Sequence, residues 1–339
     1  MPRAAMLHAV RDLRVEERAA PPPPEAGWST VAVRSVGVCG SDLHWYSEGG
    51  TGEVTLDRPV VPGHEFGGAA LDGPYAGRRV AVDPAIPCES CEPCRAGHGN
   101  LCRDVLFAGH AGLDGGLQER LVWPSRLLHP LPDELDDDAG ALLEPLGVAL
   151  HAVKVAHVHP GDDVLVVGGG PIGVLTVAVA LRAGARRVLV SEPLQHRRDT
   201  ALRFGAEGAW SPLVAEAEVL DATTGRGVDV VVEMAGSDDA LTTAVACARP
   251  GARIAVGGIP STPTSAFPAA AARRKGLTFA MVRRMHETYE QAIDLATSGI
   301  DLDALVSHRF DLSEASQAFE TAAARTGDKT VIVVSAPDR

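Results

Sequence analysis

No block of lysine or arginine stands anywhere in the chain, and the formal net charge is −13. A surface that tracks phosphates is therefore excluded, and with it nucleic-acid binding as a main function. The first residues, MPRAAMLHAV, lack an apolar h-region, so no secretion signal is read there and a cytoplasmic setting is expected. Internal repeats are lacking too, and low complexity is confined to Pro21–Pro24. The uncharged run Val164–Leu181 raises the question of a membrane span. Gly168, Gly169, Gly170 and Pro171 break it and charged residues flank it closely, so it reads as a buried strand and helix, and no membrane partner is expected. At 339 residues with 45% hydrophobic residues, the chain is long for one domain and suits two.

The stretch Val164–Glu192, VLVVGGGPIGVLTVAVALRAGARRVLVSE, organises the rest. It reads as strand, tight turn, helix and second strand. Gly168, Gly170 and Gly173 have the spacing G-x-G-x-x-G: the first allows the turn, the second admits a pyrophosphate, and the third lets helix pack on strand. Pro171 and Ile172 open the helix, whose N-terminus favours an anion. Glu192 closes the next strand at about the ~20-residue distance at which an acidic residue meets a ribose. It favours NAD over NADP, whereas His196, Arg197 and Arg198 just beyond could cradle a 2′-phosphate.

Before this stretch the chain reads as β-rich. Met1–Glu17 alternates like a β-ribbon, Trp28–Val36 is a strong strand pattern, and short strands and loops continue to about Leu143, with an acidic loop leading into a helix from Asp133 to Ala141. From Gly161 onward strand and helix alternate: Val164–Val167, Ile172–Arg182, Val188–Ser191, a helix through Phe204, Val228–Val232, Ala240–Ala248, Arg253–Val256 and Leu277–Val282. That pattern predicts a doubly wound parallel sheet. Helical patterns at Thr288–Ser298 and Leu312–Ala324 precede a last strand, Lys329–Val334. The expectation is an α/β protein with a catalytic domain at 1–146 and 288–339, a dinucleotide-binding domain at 147–287, a tail that returns to the first domain, and a cleft between the two.

Five of the six cysteines lie between Cys39 and Cys102, which in a chain without a signal suggests metal rather than disulfides. PCESCEPCRAGHGNLC brings Cys88, Cys91, Cys94 and Cys102 into one loop. Four thiolates close a tetrahedral zinc site with no open position, so this reads as a structural site. Four unrelated thiols and an iron–sulfur cluster are the competing readings, and no other redox-chain feature surrounds them. Cys247 reads as a buried small hydrophobe. A second constellation joins Cys39, Ser41, Asp42 and His44 of VCGSDLHWY to His64 and Glu65 of PGHEFGG and Glu144 of LLEPLGVALHA. A catalytic zinc needs about three protein ligands and an open place. Cys39, His64 and Glu65 could supply a thiolate, an imidazole and a carboxylate, with Asp42 accepting from His64. Singly, each has a bland reading as a core cysteine, a satisfied histidine or a solvated carboxylate.

These residues together resemble the zinc-dependent medium-chain dehydrogenases over nearly the whole chain, and CGSDLHWYSEGGTG, GHE and EPLGVALHA are most similar to the sorbitol (polyol) dehydrogenase and L-idonate 5-dehydrogenase branch. The resemblance implies a GroES-like catalytic domain beside a Rossmann domain, and two zinc ions per chain. Cys39, His64 and Glu65 would hold the catalytic one, with Glu144 a ligand directly or through water. Ordinary alcohol dehydrogenases carry a cysteine at that last position. It further implies alcohol oxidation by hydride transfer to NAD, with Ser41 taking the substrate proton and His44 passing it to solvent. Trp45 and, in the loop after Cys102, Phe107 would contact substrate. Arg284 would contact water or a sugar hydroxyl, with Arg283 competing for that part, and Met285 and Glu287 depart from the family's wording there. A small-molecule polyol substrate and a homo-oligomer, tetramer or dimer, are expected. A cyclitol, an amino-sugar precursor or a simple secondary alcohol is the alternative substrate, and a non-catalytic relative the alternative class.

Overall fold

Side chains along Trp28–Gly37 alternate between buried and open as far as Ser35, and Val31, Val33 and Val36 are fully enclosed. That alternation makes the strand the centre of a seven-stranded sheet in the computed structural model, which describes residues 1–51, 54–110 and 112–335. The strand Glu65–Ala70 lies antiparallel on one side of it, with Gly37 opposite Glu65. On the other side lies Lys329–Val333, also antiparallel, with Val331 opposite Gly37. A break in register between Val33 and Ser35 marks a bulge next to this end of the strand. Arg79–Val82, Leu128–Pro130, Arg120–Pro124 and Val306–Asp311 complete the sheet. Arg3–Ala9 and Asp12–Glu17 form a separate antiparallel ribbon.

By contact density the chain divides into two units, Met1–Glu144 with Tyr289–Arg339, and Pro145–Thr288. The second holds a six-stranded parallel sheet. Taken in chain order, its strands are Asp163–Val167, Arg187–Ser191, Gly208–Trp210, Val228–Glu233, Ala248–Val256 and Thr278–Met281. In space they run third, second, first, fourth, fifth, sixth, the doubly wound order. Val164, Leu165 and Val166 have no exposed surface, as expected of a parallel strand covered on both faces.

Several elements differ from the sequence reading. Cys39 caps a helix, Gly40–Glu48, inside the stretch read as strands and loops. The Asp42 carboxylate accepts from the Cys39 N–H at 3.0 Å there, a capping bond whose short helix leaves little periodicity to detect. The acidic loop becomes helix at Asp137 and runs to Ala156 through Pro145. Gly208–Trp210 and Pro212–Ala222 went unassigned: the strand is three residues at a sheet edge, and the helix leaves Leu213 95% exposed, which blurs its apolar stripe. Ala269–Lys275 and the half-open edge strand Val306–Asp311 were unassigned as well. Gly52, the last residue of CGSDLHWYSEGGTG, lies outside the described residues. Among the described residues one helix, Asp137–Ala156, is long and apolar enough to cross a bilayer, and 78% of its most apolar window is buried within the structure.

His129, on the strand Leu128–Pro130, stacks on Tyr289 with ring centroids 4.2 Å apart, and the Tyr289 hydroxyl donates to Val82 O at 2.7 Å. Burial pushes the imidazole down from 6.5 to about 4. The folded state therefore favours neutral His129. The stability this contributes is complete above the unfolded pKa and is lost as pH falls through the folded one. His129→Phe keeps the stack without the proton, and should remove up to about 3 kcal/mol of the acid-induced loss. Unfolding midpoints compared at pH 7 and pH 4 read this out; an equal acid loss in both proteins would exonerate His129.

Candidate metal and dinucleotide sites

In the second unit the glycine turn is shaped by lack of space. Gly168 has φ 101°, and a Cβ on Gly173 would stand 1.9 Å from Gly168 O. Gly170 caps the helix Pro171–Arg182, and Pro171 follows in the first turn, where an N–H would go unpaired in any case. Glu192 is 4% exposed, and its carboxylate accepts from Gly169 N at 2.7 Å and Leu194 N at 2.8 Å. A Cβ on Gly169 would come 3.0 Å from Glu192 Cβ. Gly169, only a spacer in the motif as read from sequence, is thus the glycine that lets the acidic residue close on the turn. The Arg197 guanidinium reaches within 3.7 Å of where a Gly170 Cβ would lie. A helix N-terminus flanked by one carboxylate and one guanidinium fits a dinucleotide, whose phosphates and ribose hydroxyls need these opposite partners.

In the first unit, Cys88, Cys91, Cys94 and Cys102 are free cysteines whose Sγ atoms all lie within 4.8 Å of one another. Backbone N–H groups already point at sulfur: Cys88 N lies 3.2 Å from Cys102 Sγ, and Cys91 N 3.4 Å from Cys88 Sγ. The Ser90 hydroxyl and nearby N–H groups bring the Cys88 thiol down to about 6, whereas burial and its sulfur neighbours push Cys94 up to about 12. Thiols this close compete for protons, and a cation replaces those protons outright.

The register that sets Gly37 opposite Glu65 also brings Cys39, two residues past the strand end, beside His64. The ligand atoms of Cys39, His64 and Glu65 lie within 4.8 Å of one another, His64 3% and Glu65 1% exposed. Asp42 sits behind them. It meets His64 Nδ1 at 3.2 Å and Gly63 N at 3.3 Å, which leaves Nε2 to face the sulfur side. Ser41 Oγ lies 3.4 Å from that Nε2. Burial disfavours a charged His64, but the Asp42 and Cys39 charges outweigh it and hold the imidazole well above its ordinary range. A divalent cation would take the place of that proton, so the donor set fits zinc.

Two further groups act on this set. Lys329 Nζ forms a closely spaced ion pair with Glu65 Oε2 and donates to Val38 O at 3.0 Å. Burial opposes its charge, yet Glu65 and Cys39 keep its pKa above the ordinary lysine value. Gly37 leaves room for the pair: a Cβ there would stand 2.2 Å from Glu65 Oε2 and 2.9 Å from Lys329 Cε. Glu144 is 5% exposed and burial pushes its carboxyl up to about 8. It feels His64 and Glu65 electrostatically. Among the described residues, however, the set with mutually close ligand atoms holds Cys39, His64 and Glu65 without Glu144.

The other predicted residues fall as follows. Ser41 and His44 lie three apart on the helix Gly40–Glu48 and so share a face, and His44 Nδ1 pairs with Glu48 at 3.1 Å. Trp45 and Phe107 are buried, with Phe107 5.2 Å from the His64 ring. His110, which the sequence reading passed over, joins them: its ring lies 5.5 Å from Trp45, 4.8 Å from Phe107 and 6.0 Å from His64. Arg284 belongs to the second unit and has left-handed backbone at φ 55°, as does Glu287 at φ 47°. Met285 is buried against the position a Gly147 side chain would need. Lys329 and His110 carried no motif, and only pairing across the sheet and ring contact reveal them.

Lys329→Met leaves Glu65 charged and enclosed, which should cost about 3–5 kcal/mol in the metal-free protein. Lys329→Arg should recover part of this. Thermal or denaturant unfolding measures it, and an unchanged midpoint for Lys329→Met would show that the pair contributes nothing.

The alcohol dehydrogenase GroES-like domain family matches residues 25–133, and the zinc-binding dehydrogenase family matches residues 171–298. The chain is 37% identical over 341 residues to a protein of Arthroderma otae named "Probable D-xylulose reductase A", covering 96% of each. Its structure is similar to L-idonate 5-dehydrogenase of Escherichia coli, with TM-score 0.91, 25% identity and 98% of each chain covered. It is also similar to galactitol-1-phosphate dehydrogenase of Escherichia coli, with TM-score 0.90, 26% identity, and 98% of this chain and 100% of that one covered. Identity at this level along nearly the full length, over the two matched domains, places the chain in the zinc-dependent medium-chain dehydrogenases, in their polyol dehydrogenase branch.

Proposed function

We propose that the protein oxidises a secondary hydroxyl of a polyol or sugar-derived substrate by hydride transfer to NAD. The observation that carries this reading is the close set of half-buried Cys39 with buried His64 and Glu65, and the Ser41 hydroxyl beside it. The relatives' names point to a ketose, a sugar acid and a polyol phosphate, namely xylulose, idonate and galactitol 1-phosphate. Bound by Cys39, His64 and Glu65, zinc would supply Lewis acidity, the effect that lowers the pKa of bound water from 15.7 to about 7.

Around that metal the chain's own residues divide the work. Asp42 fixes the His64 tautomer, Ser41 accepts the substrate's hydroxyl proton, and His44 passes it on toward solvent. Trp45, Phe107 and His110 form the aromatic wall against which carbon chains pack. Glu144 and Arg284 are the candidates for contacts to a neighbouring hydroxyl or water. Cys88, Cys91, Cys94 and Cys102 hold a second, structural zinc. Glu192 supports NAD, because a carboxylate repels a 2′-phosphate, and Arg197 near Gly170 is the residue through which NADP could still enter. The glycines Gly168, Gly170 and Gly173, with Pro171 and Ile172, seat the pyrophosphate. We further propose a cytoplasmic homo-oligomer, dimer or tetramer. The open edge strand Thr278–Met281, with Met281 75% and nearby Phe267 40% exposed, favours association.

A panel of sorbitol, xylitol, idonate, inositols and a simple secondary alcohol, each with NAD and NADP, tests the reading. Polyols with NAD should give the highest kcat/KM, and a clear NADP preference would sink the argument from Glu192. Ser41→Ala should lower kcat by about 10²–10⁴-fold without loss of metal. Metal analysis should return two zinc per chain, falling to one in Cys94→Ser; a single zinc in the wild-type protein would overturn the two-site assignment.

A further inference from the structure

At the carboxyl end of the fourth strand of the parallel sheet, the second unit buries a carboxylate that none of the roles above uses. Glu233 has no exposed surface. It pairs across to Val167, the last residue before the Gly168 turn, and on its other side to Val256, the last residue before Gly257. Its Oε1 accepts from Ala235 N at 2.7 Å and Gly236 N at 2.6 Å. Its main-chain oxygen accepts from Gly257 N at 2.8 Å and Gly258 N at 3.1 Å. One residue thus ties the turn after the fourth strand to the turn after the fifth.

The three turns interlock without spare room. A Cβ on Gly258 would lie 2.1 Å from Gly236 N and 2.8 Å from Glu233 Oε2. A Cβ on Gly168 would lie 2.9 Å from Ala235 N. Glu233 Oε2 is enclosed and makes no direct hydrogen bond. A fully buried carboxylate is costly unless it is hydrogen-bonded, and the bonds that Glu233 Oε1 makes fix the path of Met234–Gly236. In a doubly wound sheet, ligands sit outside the carboxyl ends of the strands where the strand order reverses. Here that place lies between the first and fourth strands, bordered by Gly168–Gly170 and by Met234–Gly236.

We infer that Glu233 is a positioning residue for the dinucleotide: its carboxylate holds the turn at 234–236, its main-chain oxygen the turn at 257–258, and the two form one preformed ledge facing the Gly168 turn. The inference rests on the reading of this unit as the dinucleotide site. The ledge is backbone, so it needs an anchor that does not move when the cofactor arrives. A neutral amide in place of the carboxylate keeps the Oε1 acceptor; a shortened or deleted side chain does not.

The test compares Glu233→Gln, Glu233→Asp and Glu233→Ala by NADH titration, steady-state kinetics, amide exchange and unfolding. Loss of the two hydrogen bonds to Oε1 predicts that Asp and Ala raise the NADH dissociation constant and KM for NAD about tenfold or more. We expect kcat within about threefold of wild type, as loss of binding shared by ground and transition states requires, and Gln close to wild type on every count. Zinc content should stay unchanged, and the Ala235 and Gly236 amides, which bond the side chain, should exchange faster in the Asp and Ala variants, whereas Gly257, which bonds the main-chain oxygen, should not. If the Ala variant does not fold, the Asp and Gln pair carries the comparison. Unchanged NADH affinity in the Asp variant, or equal losses in Gln and Asp, overturns the inference. Failure of the wild-type protein to bind NADH would instead overturn the dinucleotide reading itself.

Discussion

The ion pair between Lys329 and Glu65 is the interaction on which the close set of Cys39, His64 and Glu65 in the first unit turns. Three strands meet there. The central one ends in Gly37, which has no side chain, and so lets a lysine from one neighbour reach a carboxylate from the other. Such a pair owes little to Coulomb energy alone, because desolvation of both charges offsets most of it. Its worth lies in what it forbids: Glu65 cannot turn away from Cys39 and His64 without stranding an enclosed ammonium.

The same logic of paired constraints recurs elsewhere. Asp42 caps its own helix through Cys39 N and orients His64 through Nδ1, so one carboxylate serves local structure and ligand geometry together. Glu192 bonds Gly169 N while lying where a ribose would be met. Lys275 donates to the carbonyls of Val245, Ala246 and Ala248 at 2.7–2.8 Å, closing the helix Asp238–Cys247 against its own dipole. In each case a charged side chain leaves water, wholly for Asp42 and Glu192 and partly for Lys275, only where backbone groups or an opposite charge receive it.

Much of this was legible beforehand. The alternating strands and helices from Val164 onward and the glycine spacing specify the parallel sheet, because buried parallel strands are continuous apolar runs and Gly168 needs a left-handed φ. The clustering of the four cysteines and of Cys39, His64 and Glu65 was legible because the residue types able to ligate a metal are few. What stayed hidden depends on pairing between distant segments. Lys329 is an ordinary lysine until a strand register sets it beside Glu65. His110 is one more loop histidine until Phe107 and Trp45 close around it. Gly208–Trp210 is too short to show a period, and Gly40–Glu48 is a helix of nine residues specified mainly by its cap. Glu144 feels His64 and Glu65 electrostatically, but helix geometry, which a motif does not contain, sets it outside the closest set of Cys39, His64 and Glu65.

The returning strand also orders events in time. Lys329 bonds a carbonyl 291 residues earlier in the chain. During synthesis from the N-terminus, Pro145–Thr288 has all its strands available while the first sheet still lacks the strand that covers its central one. Until Lys329–Val333 has left the ribosome, Glu65 has no ammonium partner and one edge of Trp28–Gly37 stays open. Domains complete as units once their segments are present, so the nucleotide unit should finish first. The unit that holds Cys39, His64 and Glu65, although begun earlier, should close last.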